Sequence, residues 1–158
     1  MPPKIEDRPD VQVFTEIGMI EHHLRASVSE HLLPGMTYTH FEVLSHFTRY
    51  GDGATPAELA QAMMMTKGAI TAVLQRMEGL ELVAVLADAA DRRKKRVRLT
   101  RKGAQAYQTI LKAMKPKTEA LREGFTEQEF RAVLPFLRAL NSFLQEISAP
   151  VEPAEPIP

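Results

Sequence analysis

Residues 92 to 102 hold eight of the chain's twenty Lys and Arg residues, Arg92, Arg93, Lys94, Lys95, Arg96, Arg98, Arg101 and Lys102, with no acidic residue among them. The remaining charges balance the run, because the whole chain carries twenty basic and twenty acidic side chains and no formal net charge. General polyelectrolyte attraction is therefore weak, and any binding of an anion must come from where the charges sit. A charge run can also be nothing more than a solvated face. Its surroundings decide between the two: the run follows a helix-turn-helix pattern and is flanked by two short β-prone segments, the arrangement of a basic hairpin wing beside a DNA-reading helix.

Both proline-punctuated ends, residues 1 to 10 and 149 to 158, read as flexible tails. Between them the apolar residues recur at helical spacing. Val13, Ile17, Ile20, Leu24, Val28 and Leu32 mark a long first helix that breaks near Pro34 and Gly35. Thr39 with Glu42 forms a capping box for a second helix, with Phe41, Leu44 and Phe47 as its buried stripe. Thr55, Pro56 and Glu58 open a short third helix whose inner face is Leu59, Ala62 and Met63. After a turn at Met64 and Met65, Thr66 caps a fourth helix that buries Ile70, Val73, Leu74, Met77 and Leu80. Residues 82–86 and 96–99 are expected to pair as strands around a turn at 88–95. Thr100 starts a fifth helix, with a stripe of Ala104, Tyr107, Leu111, Met114, Thr118 and Leu121. Thr126 and Glu129 cap a sixth, with Phe130, Leu134, Leu137, Leu140 or Asn141, Leu144 and Ile147. Pro116 and Pro135 should kink or break these last two, since each removes an amide donor and clashes one turn back. The fold class is thus mainly α with a small β-hairpin wing: a winged helix-turn-helix over 36–99, and long helices from both termini (11–35 and 100–148) that form a dimerisation region.

The outward face of the fourth helix presents Thr66, Lys67, Gly68, Thr71, Ala72, Gln75 and Arg76. Short polar side chains at a helix N-terminus can reach base edges while the amide dipoles face phosphate. Lys67 suits phosphate or guanine, Thr71 a thymine methyl or phosphate, Gln75 the N6 and N7 pair of adenine, and Arg76 the backbone. In the wing, Arg93 suits the concentrated negative potential of a narrow A·T-rich minor groove, and Arg92, Lys94, Lys95, Arg96 and Arg98 suit phosphates.

This order of elements resembles the MarR family of bacterial winged-helix transcription regulators over about residues 10 to 148. Asp91, Arg93, Leu99, Thr100 and Gly103 stand at the spacing of the family's wing signature, and Thr55-Pro56-x-Glu58-Leu59-Ala60 looks like the start of its first helix-turn-helix helix. The resemblance implies a homodimer with interlocked first, fifth and sixth helices, presenting two lobes to successive turns of a pseudopalindromic double-stranded DNA site. It also implies that Asp91 holds the wing loop or aims Arg93. A repressor released by a small aromatic or phenolic ligand is the expected mode, with His23, His31, Tyr38, His40 and Phe41 as candidate pocket residues at the junction of the two parts. Two departures stand out. Glu81 occupies a frequent glycine position, and Val85 and Leu86 occupy frequent arginine positions, which leaves residues 92 to 98 to supply phosphate contacts.

Other chemistry is poorly served. The absence of cysteine removes disulfides, thiolate zinc sites, cysteine nucleophiles and thiol redox sensing. No nucleophile and base, phosphate loop or paired acidic motif converges, so an enzyme is not expected, and neither is a cofactor. All five histidines, His22, His23, His31, His40 and His46, fall in the first two helices, which raises a metal-responsive reading. Helical geometry disperses them, with His31 and His40 on apolar faces and His22 and His46 pointing away. A winged helix serving protein assembly without DNA is the other alternative. No apolar stretch approaches the roughly 20 residues that span a bilayer, so a cytoplasmic protein without membrane contact is expected.

Overall fold

A computed structural model describes residues 8–148; the proposed tails otherwise lie outside the described residues. Helix α1 (Pro9–Ser29) starts inside the expected N-terminal tail. Pro9 is preset for the first helical position, Asp10 complements the dipole, and Arg8 pairs with Asp10 at 2.7 Å.

Helix α2 (Tyr38–Tyr50) is capped by Thr37 rather than Thr39, which corrects the expected capping box. The Thr37 hydroxyl accepts the His40 amide at 3.4 Å, and the Thr37 amide donates to His40 Nδ1 at 3.1 Å. A neutral imidazole supplies the acceptor that glutamate usually offers three residues into a helix. In α3 (Pro56–Ala62) the expected box forms, with Thr55 and Glu58 exchanging bonds of 2.7 and 3.1 Å. Its inner face is Leu59 and Ala60 with Met63 partly covered, whereas Ala62 is exposed.

Helix α4 (Lys67–Gly79) buries Ile70, Leu74 and Met77, with Val73 and Leu80 at the margin, as the spacing predicts. Strands β1 (Val83–Ala87) and β2 (Lys95–Leu99) pair antiparallel, with Val85 opposite Val97, so Lys95 belongs to a strand rather than the turn. Glu81, at the expected glycine position, has φ +61°, the left-handed region that explains glycine's suitability there. Its carbonyl accepts the Thr100 hydroxyl at 2.6 Å, and its carboxylate pairs with Lys102 at 2.8 Å.

Helix α5 (Arg101–Gly124) begins where Thr100 Oγ1 accepts the Gly103 amide at 2.9 Å. Gly103 lies so close to β1 that a Cβ there would sit 2.1 Å from the Leu82 carbonyl oxygen. Gly103, Ala106, Tyr107 and Ile110 are buried within the chain, while Leu111 and Leu121 of the predicted stripe are exposed. Helix α6 (Glu127–Ser148) is capped by Thr126 and Glu129 as expected. Neither Pro116 nor Pro135 ends its helix. The residues one turn back, Lys112 and Arg131, are exposed, so water can take the carbonyls that each proline leaves without a donor.

The chain divides into two units, before and after Pro116. In the first, Val43, Leu44 and Phe47 of α2, Leu59 of α3, the apolar face of α4, Leu82, Val83 and Val97 of the hairpin, and Tyr107 of α5 close one core. In the second, α6 buries none of its residues. Phe130, Leu134, Leu137 and Leu144 are all exposed on one broad face, with Phe136, Phe143 and Ile147 beside them. Among the described residues no helix is long and apolar enough to cross a membrane.

Candidate nucleic-acid interface

Helix α4 is launched from a tight turn. The Met65 amide bonds to the Ala60 carbonyl at 2.8 Å, and Met64, with φ +51°, is thrown out into solvent at 88% exposure. Of the three consecutive methionines, then, only Met63 and Met65 pack against the core. Thr66 Oγ1 takes the Ala69 amide at 3.2 Å, so Thr66 is a cap as well as a surface residue. Lys67, Gly68, Thr71, Ala72, Gln75 and Arg76 are all exposed on the side away from the core. The Thr71 hydroxyl donates back to the Lys67 carbonyl at 2.7 Å, which leaves its oxygen lone pairs and methyl group outward.

The wing is braced by carboxylates. At the tip, Asp88 Oδ1 accepts the amides of Ala90 and Asp91 at 2.7 and 3.1 Å, and Oδ2 accepts Arg96 Nε at 2.5 Å. These bonds, that from Arg96 foremost, hold the Asp88 carboxyl down at about 2. Asp91 Oδ1 accepts both the amide and Nε of Arg93, at 3.1 and 3.2 Å, while the Arg93 side chain stays 92% exposed. The chain thus contains the aspartate-to-arginine contact that the resemblance implied, on a guanidinium open to solvent.

At the base, the loop between α2 and α3 holds β2. The Gly53 amide bonds to the Val97 carbonyl at 3.1 Å and the Val97 amide to the Ala54 carbonyl at 2.9 Å, a short extra ladder rung. Arg96 Nη1 donates to the Gly53 carbonyl at 3.1 Å. Asp52 accepts the Leu99 amide at 2.8 Å and lies 3.5 Å from Arg98 Nη1. Gly53 has φ +91°, and a Cβ there would meet the Arg98 guanidinium at 2.9 Å, so the arginine lies across the glycine face. Of residues 92 to 98, Arg92, Arg93, Lys94 and Lys95 project outward, Arg96 is engaged by Asp88 and the Gly53 carbonyl, and Arg98 keeps about half of its side chain exposed beside Asp52.

A cleft of about 840 Å³ runs between the two elements, with Lys67, Thr71 and Gln75 on one wall and Arg93, Lys94 and Lys95 on the other. Glu78, one turn beyond Gln75, also lines it and accepts the Val85 amide at 2.9 Å. Asp52, Asp88 and Glu78 escaped the sequence reading as functional positions. Asp88 had a signal, an aspartate at a strand end before small residues, which favours a turn through its own side chain. The other two depend on partners 47 and 7 residues away.

The five candidate pocket residues divide. Tyr38 and Phe41 join a row of rings: Arg25 lies 4.2 Å over Tyr38, Tyr38 is 6.1 Å from Phe41, and Phe41 stacks 5.4 Å from Tyr107, whose hydroxyl reaches Ser45. Burial raises the Tyr38 and Glu42 pKa values. His40 is only 2% exposed and its Nδ1 is used by the α2 cap; burial, and then the charge of Arg76, push its pKa down. His31 is half-buried just beyond α1, and His23 is exposed beside the His22 ring. Among the described residues, no three His, Asp or Glu side chains gather as metal ligands.

Residues 35–94 match the model of the MarR family. Solved structures share the fold over most of the chain. MepR of S. aureus in its DNA-binding conformation is 22% identical, with 84% of this chain and 98% of that one covered at a TM-score of 0.73. A MarR transcriptional regulator of Methanosarcina mazei Go1 is 21% identical, covering 85% and 97% at 0.72. BpsR of Bordetella bronchiseptica, whose DNA binding is regulated by 6-hydroxynicotinic acid, is 23% identical, covering 82% and 98% at 0.66. The matched segment spans α2, the helix-turn-helix and the wing tip, and so takes in most of the residues that line the cleft. The central part of the chain thus matches the MarR family model, and the chain as a whole shares the fold of solved MarR-type transcription regulators.

Proposed function

We propose that the protein is a homodimeric repressor that binds a pseudopalindromic operator, with 36–99 as the DNA-binding part and 11–35 and 100–148 as the dimerisation part. Lys67, Thr71 and Gln75 read the major groove, with Thr66 and Gly68 admitting the backbone and Arg76 meeting phosphate. Arg93 enters the flanking minor groove, and Arg92, Lys94 and Lys95 neutralise phosphates. The observation that carries this reading is the Arg93 guanidinium, open to solvent yet bonded to Asp91, beside the exposed polar face of α4. A pre-aimed arginine loses less freedom on entering a groove than a loose one.

Dimerisation is supported by the apolar residues that α1 and α6 leave exposed, including Ile20, Leu24, Leu134 and Leu137. Release by a small aromatic or phenolic ligand is supported by the row of rings at Tyr38 and Phe41, which offers stacking surfaces with Arg25 as a charged end. Such a ligand shifts the population toward a conformer whose two α4 helices no longer match the operator spacing. DNase footprinting should reveal two related half-sites about one helical turn apart. In the same assay Arg93→Ala should weaken operator binding by about 1 to 3 kcal/mol without lowering the melting temperature. Unchanged operator affinity in that variant would remove Arg93 as the minor-groove reader.

A further inference from the structure

Beyond the core they share, the recognition helix and the wing are bridged by a hydrogen bond that one side chain of α4, Glu78, accepts. Along α4, Lys67, Thr71, Gln75 and Glu78 fall on one side of the helix, and Glu78 is the last of them before the helix ends at Gly79. Its Oε1 accepts the Val85 amide at 2.9 Å. The hairpin's own bonding makes this contact possible. Val97 directs its amide and carbonyl to Ala54 and Gly53, away from β1. Its antiparallel partner Val85 therefore forms the non-hydrogen-bonded kind of pair, and both its backbone polar groups point to the open side of the strand. That amide would otherwise be a bare strand edge. The Glu78 carboxylate meets it in the cleft that also holds Lys67, Arg93, Lys94 and Lys95.

We propose that Glu78 is a positioning residue for operator recognition: by bonding the outer edge of β1 it fixes the angle between the recognition helix and the wing, and so where Arg93 arrives once α4 is seated. The proposal rests on the reading of Arg93 as the minor-groove group. The wing's other braces, Asp88, Asp91, Asp52 and Gly53, bind it to itself or to the α2–α3 loop. Glu78 ties it to the helix that reads the bases. A direct charge role works in the opposite sense, because a carboxylate facing DNA repels phosphate. Removing the charge alone should tighten binding, and removing the bond should weaken it.

The full-length protein with Glu78→Ala, Glu78→Gln, Arg93→Ala and the double variant Glu78→Ala with Arg93→Ala separates these roles. Glu78→Ala should lower operator affinity on the order of tenfold in the parent and by less than about twofold in the Arg93→Ala background, since a wing without its arginine has nothing to aim. Glu78→Gln keeps an oxygen acceptor and loses the charge, so it should bind the operator at least as tightly as the parent. Exchange of the Val85 amide with solvent, followed by NMR, should speed up in Glu78→Ala and stay slow in Glu78→Gln. Equal losses in both backgrounds, or a glutamine variant as weak as the alanine one, would overturn the proposal. The Arg93→Ala single variant tests the groove reading separately: no loss there sinks that reading, while the Val85 exchange rates still report whether the strut exists.

Discussion

The winged helix and helix α6 carry the same kind of amphipathic pattern, and they use it in opposite ways. In the winged helix, Ile70, Leu74 and Met77 of α4 meet Val43, Leu44 and Phe47 of α2 and the hairpin's Val83 and Val97, and the core closes within the chain. In α6, Phe130, Leu134, Leu137 and Leu144 recur with equal regularity and remain exposed. Periodicity states that a helix has an apolar face; what covers the face is decided elsewhere. The first region should thus have a stability of its own, and the second one that depends on a second copy and hence on concentration.

The most severe break in that comparison is charge in the α6 face. Leu134→Asp with Leu137→Asp should cost the dimer more than about 5 kcal/mol, because buried unpaired carboxylates are strongly disfavoured. Light scattering should then report a monomer, operator binding should be lost, and circular dichroism should still show a folded winged helix. A persistent dimer would mean that this face is not the interface.

His40 offers a smaller and opposite test, inside the winged helix. Its replacement by alanine removes a helix cap and should cost about 1 to 2 kcal/mol at any protein concentration. Its pH behaviour follows from the direction of its shift. Burial depresses the folded pKa below the unfolded value of about 6.5, so the unfolded chain binds the proton more readily. The stability from neutral His40 is complete above that unfolded value and declines as pH falls toward the folded one. Denaturant curves at pH 7.5 and 5.5 should show this decline in the parent and a weaker one in His40→Gln, which keeps an acceptor but does not titrate. Identical pH dependence in the two proteins would show that the cap is not the titrating element.

The smallest effect separates the wing's surface from its frame. Neutralising Lys94 and Lys95 together should leave melting unchanged and reduce the slope of log affinity against log salt by nearly 2 per lobe, for operator and scrambled DNA alike. Gln75→Ala is its counterpart: it should relax preference at one base pair with the salt slope intact. If the lysine variant instead loses operator binding alone, the wing and helix do not divide positioning from reading.

The sequence made the order of elements legible because caps and apolar spacing are local signals. Thr55 with Glu58, Thr66, and Thr126 with Glu129 mark their helices correctly. It misled where a side chain had an unfamiliar job or a distant partner. His40 filled a role expected of glutamate, which moved the start of α2 back to Thr37. Gly103 lies against the Leu82 carbonyl, a close approach that apolar spacing does not reveal. The basic run announced the candidate interface, but its partition into Arg92, Arg93, Lys94 and Lys95 outward and Arg96 held by Asp88 and Gly53 depends on contacts whose approach no spacing rule reveals.

That partition makes the wing tip modular. Ala87 and Lys95 are the last paired residues, and the loop beyond them is closed by Asp88 through its two amide bonds and its grip on Arg96. The segment from Ala89 to Lys94 thus hangs on Asp88 and Arg96, with the Asp88 amide also bonded to the Lys94 carbonyl. Tips of other length or charge, transplanted between those two residues, should change which minor grooves are tolerated while the hairpin register stays fixed. New operator preferences could then evolve, or be engineered, by exchanging six residues rather than rebuilding a domain.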